Sequence, residues 1–286
     1  MDLQTQETAT ATELFSGERA KFWREARHCD LECLTATFRT HTYAPHTHDT
    51  FVIGAIVSGQ QQHKLKGNES IGGPGSVFML NPEEVHDGRP MAGGYSYRML
   101  YPSVELMHKV ARDLPGVAPG RGSLFFKQLM VQDDTLAEHL LRLHAQLEQS
   151  LDPLEKDEAI YLALGQVIGR YGSWRKEPVV GRAPKAVRDM CDYMRAHYDE
   201  EVDLDQLCAL SGMSKSYLVR VFAKHMGQTP HSFLTDVRVR QARAQLAQGV
   251  EPTQVAFDCG FYDQSHLNRH FKKRIGVAPG AYRNIA

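Results

Sequence analysis

The sequence predicts an α+β protein of several domains, with an N-terminal β-barrel, a helical segment and a C-terminal all-α domain of two helix-turn-helix units. Three observations carry this prediction. Short apolar runs separated by glycine and proline fill the first third of the chain, and leucines at helical spacing follow them. Beyond the leucines, a stretch of sequence repeats itself with an offset of 49 residues.

Length and composition describe an ordinary globular protein. The chain has 286 residues, of which 42% are hydrophobic and 23% charged, and no run approaches the roughly 18 apolar residues of a membrane span. The N-terminus lacks an apolar signal core, so we expect a cytoplasmic protein whose residues 1–20 form a disordered tail. The five cysteines form no pair with metal or redox spacing, which predicts buried free thiols. They are Cys29, Cys33, Cys191, Cys208 and Cys259.

The pattern of apolar runs and turn residues in 21–120 is typical of an antiparallel β-domain. Two runs rich in β-branched and aromatic residues, 51–57 and 76–80, are separated by Gly-Gly-Pro-Gly at 72–75. Short strands bounded by such turns are typical of a small barrel or sandwich. We therefore predict an all-β domain here.

The periodicity becomes helical in residues 121–172. A first apolar stripe has the spacing four, three, four, and a second follows the break at 152–153. The first consists of Leu136, Leu140, Leu143 and Leu147, and the second of Ile160, Leu164, Val167 and Ile168. These stripes predict a helical hairpin, whose first stripe is either a core-facing surface or a dimer seam. Residues 173–184 contain proline, glycine and charged residues, which predicts a linker.

The internal repeat lies in residues 185–286. Seven spaced positions of one copy return in the other, six of them identically. The first copy has Leu218, Arg220, Phe222, Lys224, Gly227, Pro230 and Phe233, and the second has Leu267, Arg269, Phe271, Lys273, Gly276, Pro279 and Tyr282. Such a repeat indicates two copies of one supersecondary unit.

Each copy also has the turn chemistry of a helix-turn-helix unit. A small residue, Cys208 or Ala256, precedes a glycine, Gly212 or Gly260, by four positions. The small residue allows two helices to cross closely, and the glycine permits the positive φ that ends the first helix. Ser214 and Asp263 suit the N-cap of each second helix.

Charge and spacing favour DNA as the partner of these units. Residues 215–286 contain 11 Lys and Arg against 4 Asp and Glu, a net charge of +7 in a chain of net charge −1. A helix over about residues 233–246 would be roughly 21 Å long, which separates the two units enough to reach successive major grooves. One copy alone could be an amphipathic helix with a solvated arginine, but two copies in a basic segment favour DNA binding.

Residues 187–283 resemble the AraC/XylS family of bacterial regulators. The segment Ala256-Phe-Asp-Cys-Gly-Phe261, then Gln264-Ser-His-Leu-Asn-Arg-His-Phe-Lys-Lys273, Gly276 and Pro279, is similar to the second-unit signature of that family. The resemblance implies an activator that dimerises through the helices after its barrel and contacts RNA polymerase. It also implies base contacts from the two second helices, although Ser216 replaces a larger residue of some members. With the flanking basic residues, the predicted DNA contacts are Lys215, Ser216, Tyr217, Arg220, Lys224, Gln264, Ser265, Asn268, Arg269, Lys272 and Lys273.

Histidines mark a candidate ligand site in the β-domain, which resembles the cupin barrel that many such regulators carry. His46 and His48 share one face of a strand, and His86 can converge with them. Val52 and Ile53 stand where a metal-dependent cupin enzyme has a carboxylate, so we predict neither a metal nor another cofactor. We predict that these histidines, with Arg98 and Tyr101, line a pocket for an organic ligand. A metal site and purely structural histidines remain alternatives.

The function that these features predict is sequence-specific transcription regulation, most simply activation, in response to a small-molecule effector bound in the barrel. The protein is then no enzyme, and it forms a homodimer through the first leucine stripe. Two other classes remain open. A cupin enzyme would purify with stoichiometric metal, and an architectural DNA-binding protein would show little sequence preference.

Overall fold

The computed structural model describes residues 12–13, 17–65, 68–114, 122–150, 152–175 and 184–284, with the backbone alone at 12, 13, 175 and 216. Residues 1–11 and 14–16 of the predicted tail, and residues 176–183 of the predicted linker, lie outside the described residues. Strands contradict the tail at Thr12–Glu13 and from Arg19 onward, and the strand Gly172–Arg175 contradicts the linker at residues 173–175.

Antiparallel strands build the N-terminal domain. They are β1 (Thr12–Glu13), β2 (Arg19–Glu25), β3 (Leu31–Phe38), β4 (Tyr43–His46), β5 (Val52–Leu65), β6 (Asn68–Gly72), β7 (Ser76–Leu80), β8 (His86–Tyr101), β9 (Ser123–Phe126), β10 (Met130–Gln132) and β11 (Gly172–Arg175). The main sheet has the order β1-β2-β3-β8-β5-β7-β10, with β4 paired to β8 and β6 paired to β5. The predicted antiparallel β-domain is thereby confirmed, but it is not all-β, because Val104–Asp113 is helical, and its sheet extends beyond residue 120.

The long strands β5 and β8 bend the sheet around an interior cavity. Their register shifts between Ile56 and Ser58 and again between Gly59 and Gln61, and such bulges increase strand twist and curvature. Gly59 has φ +72°, and a Cβ there would lie 2.1 Å from the carbonyl oxygen of Gly94. Only glycine therefore allows the two strands to approach at this bend.

Three helices cover the outer face of the sheet. They are α1 (Val104–Asp113), α2 (Asp134–Gln149) and α3 (Pro153–Tyr171). The stripe residues Leu136, Leu140, Leu143 and Leu147 are at most 6% exposed and belong to the core between sheet and helices. The prediction of a helical hairpin is correct, but this stripe faces the chain's own core and is not available to a second chain.

The short strands after the barrel were missed from the sequence. Strand β10 pairs with β7, and β11 pairs with β9 across the helical hairpin. Strands of three or four residues are too short to show a period-two pattern. Strands β9 and β10 lie in the segment 121–172 predicted to be helical, and β11 lies mostly in the predicted linker 173–184. The β-domain thus includes the hairpin and the strand that follows it.

Seven helices form the C-terminal domain over residues 185–283. They are α4 (Lys185–Ala196), α5 (Leu204–Ser211), α6 (Lys215–Met226), α7 (Pro230–Ala247), α8 (Pro252–Asp258), α9 (Gln264–Ile275) and α10 (Pro279–Arg283). Gly212 and Gly260 both have φ 69°, as the predicted turns require. Asp263 caps α9 by accepting from the His266 amide, whereas Ser214 occupies the N-cap of α6 without a side-chain hydrogen bond.

The two domains share a hydrophobic core. One cluster of buried residues runs from Phe38 and Tyr43 inside the barrel to Phe271 and Ile275 on α9. A Cβ on Gly276 would lie 2.6 Å from the Tyr43 hydroxyl, which shows how closely the end of α9 approaches the barrel. Within the described residues, no helix has both the length and the apolar composition of a membrane span.

Candidate functional site

The first candidate site is the exposed surface of α6 and α9. On each helix the buried side holds a leucine and a phenylalanine at full burial, Leu218 with Phe222 and Leu267 with Phe271. The side chains exposed on the other sides are Lys215, Tyr217, Arg220, Lys224, Gln264, Ser265, Arg269 and Lys273. Asn268 and Lys272 are partly buried, and the Ser216 side chain lies outside the described residues.

Contacts within each unit already orient several of these groups. The Arg220 guanidinium lies 5.5 Å from the centre of the Tyr217 ring, and Lys215 donates to Asp205 at 2.8 Å. On α9, Gln264 accepts from the Thr253 hydroxyl at 2.9 Å. Both helices therefore present cationic side chains to solvent, and Tyr217 adds an exposed aromatic ring on α6.

Two exposed aromatic residues beside α9 were missed from the sequence. Phe257 is 81% exposed at the end of α8, and Tyr262 is 93% exposed in the turn before α9. The available signal was that Phe257 lies off the core-facing side of α8 and that Tyr262 is a large aromatic residue in a turn. They enlarge the surface around the N-terminus of α9.

The second candidate site is a cavity of about 60 Å³ inside the barrel. Its wall includes all three predicted histidines and Tyr101, and the ring centres of His48 and Tyr101 are 5.2 Å apart. Ligand nitrogens of His46, His48 and His86 all lie within 4.8 Å of one another. The predicted convergence of His86 on the other two is therefore correct.

Local hydrogen bonds orient two of these imidazoles. Nδ1 of His46 donates to the Ala44 carbonyl at 2.8 Å, and Nδ1 of His86 donates to the Glu84 carbonyl at 2.9 Å. Burial lowers the pKa of all three histidines, and for His46 and His48 the neighbouring imidazoles lower it further. Three neutral imidazoles thus face the cavity, and they are the described residues that could hold a metal ion.

Other polar groups in the cavity were not predicted. Gln61 donates to the Tyr95 hydroxyl at 3.0 Å, and Tyr43 and Tyr97 share a hydrogen bond of 2.7 Å. His63 is 3% exposed and lines the same cavity, but neither of its nitrogens has a hydrogen-bond partner among the described residues. The alternating pattern of β5, which points Gln61 and His63 inward, was the signal for these two.

The structure does not bring Arg98 to the cavity. Residues 97, 99 and 101 of β8 line it, so Arg98 points to the other face of the sheet. There its Nη1 donates to Glu148 at 2.5 Å and to Nδ1 of His144 at 3.1 Å. Arg98 joins the sheet to α2 instead of contacting a ligand in this cavity.

The C-terminal domain completes the cavity wall. Arg243 of α7, together with Arg274 and Ile275 of α9, lines it beside the barrel residues. Arg274 is 4% exposed, and its Nε lies 3.8 Å from Asp236, which accepts from the Thr47 hydroxyl at 2.6 Å. Burial raises the pKa of Asp236, and the Thr47 hydrogen bond opposes that shift. Both domains therefore enclose one space.

A buried ionic cluster, called here the interdomain cluster, consists of Arg24, Glu32, Arg243 and Tyr282. Glu32 of β3 accepts from both arginines and from the Tyr282 hydroxyl. The Tyr282 oxygen in turn accepts from Arg24 at 2.7 Å and from Arg243 at 2.9 Å. Burial alone would raise the pKa of Glu32, but Arg243 and Arg24 outweigh it and hold that pKa below its usual value.

Comparisons with known proteins agree with this architecture. Residues 28–164 match the AraC-like ligand binding domain, and residues 207–285 match a helix-turn-helix domain. The uncharacterized HTH-type transcriptional regulator YbfI of Bacillus subtilis is 33% identical over 228 residues, which cover 78% of this chain and 80% of YbfI. The HTH-type transcriptional activator RhaS of Pectobacterium carotovorum is 25% identical over 250 residues, which cover 85% of this chain and 88% of RhaS.

A solved structure supports the fold independently. Apo ToxT from Vibrio cholerae superposes with a TM-score of 0.53 at 14% identity, covering 88% of this chain and 96% of ToxT. Both predicted domains are thus found in their predicted order, and the resemblance noted in the helix-turn-helix repeat extends over most of the chain. The chain belongs to the AraC/XylS family of transcription regulators.

Proposed function

We propose that a small-molecule effector binds in the barrel cavity and controls DNA binding through α7 and α9. The observation that supports this most directly is the shared cavity wall, in which Arg243, Arg274 and Ile275 stand beside His46 and Tyr101. A ligand touching both domains binds one relative arrangement of them better than another. Such differential binding is what shifts a conformational equilibrium.

The size of the cavity supports movement of this wall. About 60 Å³ is enough for a few water molecules, but less than the roughly 150 Å³ that admits benzene in an apolar protein cavity. An effector the size of a common metabolite therefore needs more room. The side chains that α7 and α9 contribute are the part of the wall that can withdraw without unfolding the sheet.

Helix α9 connects the two activities at short range. Arg269 is exposed on the DNA-facing side, and Arg274, five residues later, lines the cavity. Five residues of helix span about 7.5 Å, so a displacement at Arg274 reaches the base-contacting side within one rigid element. We propose the predicted set of α6 and α9 side chains as the DNA contacts, with α7 as the spacer.

Helix α7 is longer than the sequence indicated. It covers 18 residues, which corresponds to about 27 Å, compared with roughly 21 Å for the predicted helix. With about 10 Å for packed helix diameters, this length matches the roughly 34 Å between successive major grooves on one face of B-DNA. The length of α7 therefore supports simultaneous insertion of α6 and α9 into successive major grooves.

We further propose that the regulator acts in the cytoplasm as a homodimeric activator that contacts RNA polymerase, with no catalytic role. The name of RhaS supports activation. For the dimer we propose the solvent side of α3, where Leu154 is 67% and Leu162 is 53% exposed. The two leucines lie two turns apart and within about 80° of each other around the helix.

The experiment begins with wild-type full-length protein and a DNA duplex selected from a random pool. Small molecules are screened for an increase in thermal midpoint, because a ligand of the folded state stabilises it. Each hit is then tested for its effect on DNA affinity by fluorescence anisotropy. We expect at least one stabilising molecule to change DNA affinity, and His48→Ala to abolish that change while DNA binding persists.

The exposed His225 of α6 supplies the matched control, because His225→Ala removes an imidazole outside the cavity. Its effector response should equal that of the wild type. Stabilising molecules that leave DNA affinity unchanged would contradict the coupling. A response that survives in His48→Ala would place the effector elsewhere.

A further inference from the structure

We propose that His46, His48 and His86 bind one divalent transition-metal ion, with Zn²⁺ as the probe. This reverses the metal-free interpretation of the sequence, in which the lack of a carboxylate after His48 counted against an ion. Three neutral imidazoles are a complete protein ligand set for Zn²⁺ when a fourth position is left to water or to another molecule. The convergence of His86 supplies the third ligand that the sequence could only suggest.

The backbone fixes where the three imidazoles meet. His46 of β4 and His86 of β8 are directly paired across the antiparallel ladder, and His48 follows two residues after His46. Their ring centres lie 4.3 to 5.2 Å apart. The cross-strand pair puts His46 and His86 on one face of the sheet. His48 lies beyond the end of β4, so the predicted common strand face of His46 and His48 was wrong, but its ring still packs against both others.

The distances fit an ion after small side-chain rotations. Zn–N bonds of about 2.0–2.1 Å in tetrahedral geometry place ligand nitrogens roughly 3.4 Å apart. The nitrogens here lie within 4.8 Å of one another, so each ring needs to move by less than about 1 Å. The strands themselves need not move.

The hydrogen bonds of the two paired rings favour this use. Since Nδ1 of His46 and of His86 donates to a backbone carbonyl, the neutral ring leaves the Nε2 lone pair for the cavity. A carbonyl that accepts from the far nitrogen is also the usual support for a histidine ligand, because it fixes the tautomer and raises basicity. His63 adds a further imidazole in this cavity without any hydrogen-bond partner among the described residues.

The charges of the cavity indicate what would occupy the open coordination position. Glu32 and Asp87 line the wall, and so do Arg243 and Arg274, so these four formal charges balance. Three neutral histidines leave the +2 charge of the ion uncompensated. We infer an effector with an anionic oxygen donor that completes the coordination, a refinement that rests on the proposed function.

The test uses full-length protein stripped with a chelator, and Zn²⁺ competition against a chromophoric chelator without DNA or effector. We expect one Zn²⁺ per chain. His48→Ala should lower the affinity at least about a hundredfold, because even supporting groups around metal ligands contribute 10- to 100-fold. The exposed-site variant His225→Ala should bind Zn²⁺ as the wild type does. Circular dichroism checks that each variant is folded.

A measurement on the wild type keeps the test decisive if His48→Ala fails to fold. X-ray absorption of the Zn²⁺-loaded protein should show three imidazole ligands. Absence of stoichiometric Zn²⁺ binding, or unchanged binding in folded His48→Ala, overturns the metal site. If the stripped protein still changes its DNA affinity when an effector is added, the proposed function stands without the ion. If Zn²⁺ binds at these histidines but no effector changes the DNA affinity, the proposed function fails and the metal site stands.

Discussion

Arg269 and Arg274 lie five residues apart on α9, yet one is exposed on the surface proposed to contact DNA and the other is 4% exposed in the wall of the barrel cavity. The helix that carries both is capped by Asp263 at its start and ends at Gly276, against Tyr43 of the barrel. Both ends are thus fixed by local chemistry. A displacement of Arg274 in the cavity wall is therefore transmitted to Arg269 through the rigid helix α9.

The first prediction concerns the interdomain cluster. Arg243→Met removes one of the two cations that contact the buried Glu32 carboxylate, and breaking a buried pair costs at most about 3–5 kcal/mol. We therefore expect a loss of up to that size in the free energy of unfolding, measured by urea titration. Because Arg243 also lines the cavity, the DNA affinity of the variant should no longer respond to an effector.

Arg170→Met is the matched control. It removes an arginine that is 43% exposed and pairs with Asp133 at 2.8 Å. Pairs this accessible to water contribute about 0–1 kcal/mol. Equal losses in the two variants would show that the interdomain cluster contributes no more than a surface pair.

The second prediction is a pH dependence at His144. Burial, followed by the charge of Arg98, lowers the pKa of His144 to about 4. The folded protein therefore holds the neutral ring, with Nε2 donating to the Met99 carbonyl at 3.1 Å. Its contribution to stability is present above pH 6.5 and is lost as the pH falls toward 4, by about 2 kcal/mol at pH 5.

His144→Gln tests this, because the amide can still donate to the carbonyl but does not titrate. The difference in unfolding free energy between wild type and variant should shrink by about 2 kcal/mol from pH 7.5 to pH 5. Other histidines with lowered pKa, such as His41 and His270, titrate in both proteins and cancel in this difference. A difference that stays constant with pH would show that His144 protonates in the folded state.

The third prediction separates the buried and exposed leucines of the helical hairpin. Leu162→Glu places a charge on the solvent side of α3, so the chain should stay folded and light scattering should report the 32.2 kDa monomer. Leu140 is 3% exposed, so Leu140→Glu should unfold the domain instead of dissociating a dimer. A wild-type mass retained by Leu162→Glu would exclude this face as the interface.

Much of the fold follows from local sequence patterns. The repeat with its small residues and glycines predicted both helix-turn-helix units, because turn conformation and helix crossing depend on residues close in the chain. The two apolar stripes likewise predicted α2 and α3. The start of strand β2 was missed because Arg19–Glu25 breaks the alternation of apolar and polar residues at Phe22-Trp23 and lies beside a polar N-terminus.

The predictions that failed concern features that depend on contacts between residues far apart in the sequence. Arg98 belongs to the outer face because β8 has Tyr97 and Met99 facing the cavity, and that choice between faces needs the register of the strand. A leucine stripe has the same spacing whether it packs on its own sheet or on a second chain. The interdomain cluster joins residues more than two hundred positions apart, Glu32 with Arg243 and Tyr282, and no local pattern predicts such a pair.

The central claim, that α9 reads DNA sequence, is tested most directly by selecting duplexes from a random pool with wild type and with Arg269→Ala. We expect one recurring motif for the wild type, with an affinity that falls steeply as salt rises. Arg269→Ala should lose roughly 1–3 kcal/mol on that site and tolerate substitution at one base pair. Lys273→Ala should weaken all sequences alike. Recovery of the wild-type motif, with unchanged preference at every position, by Arg269→Ala would contradict the claim.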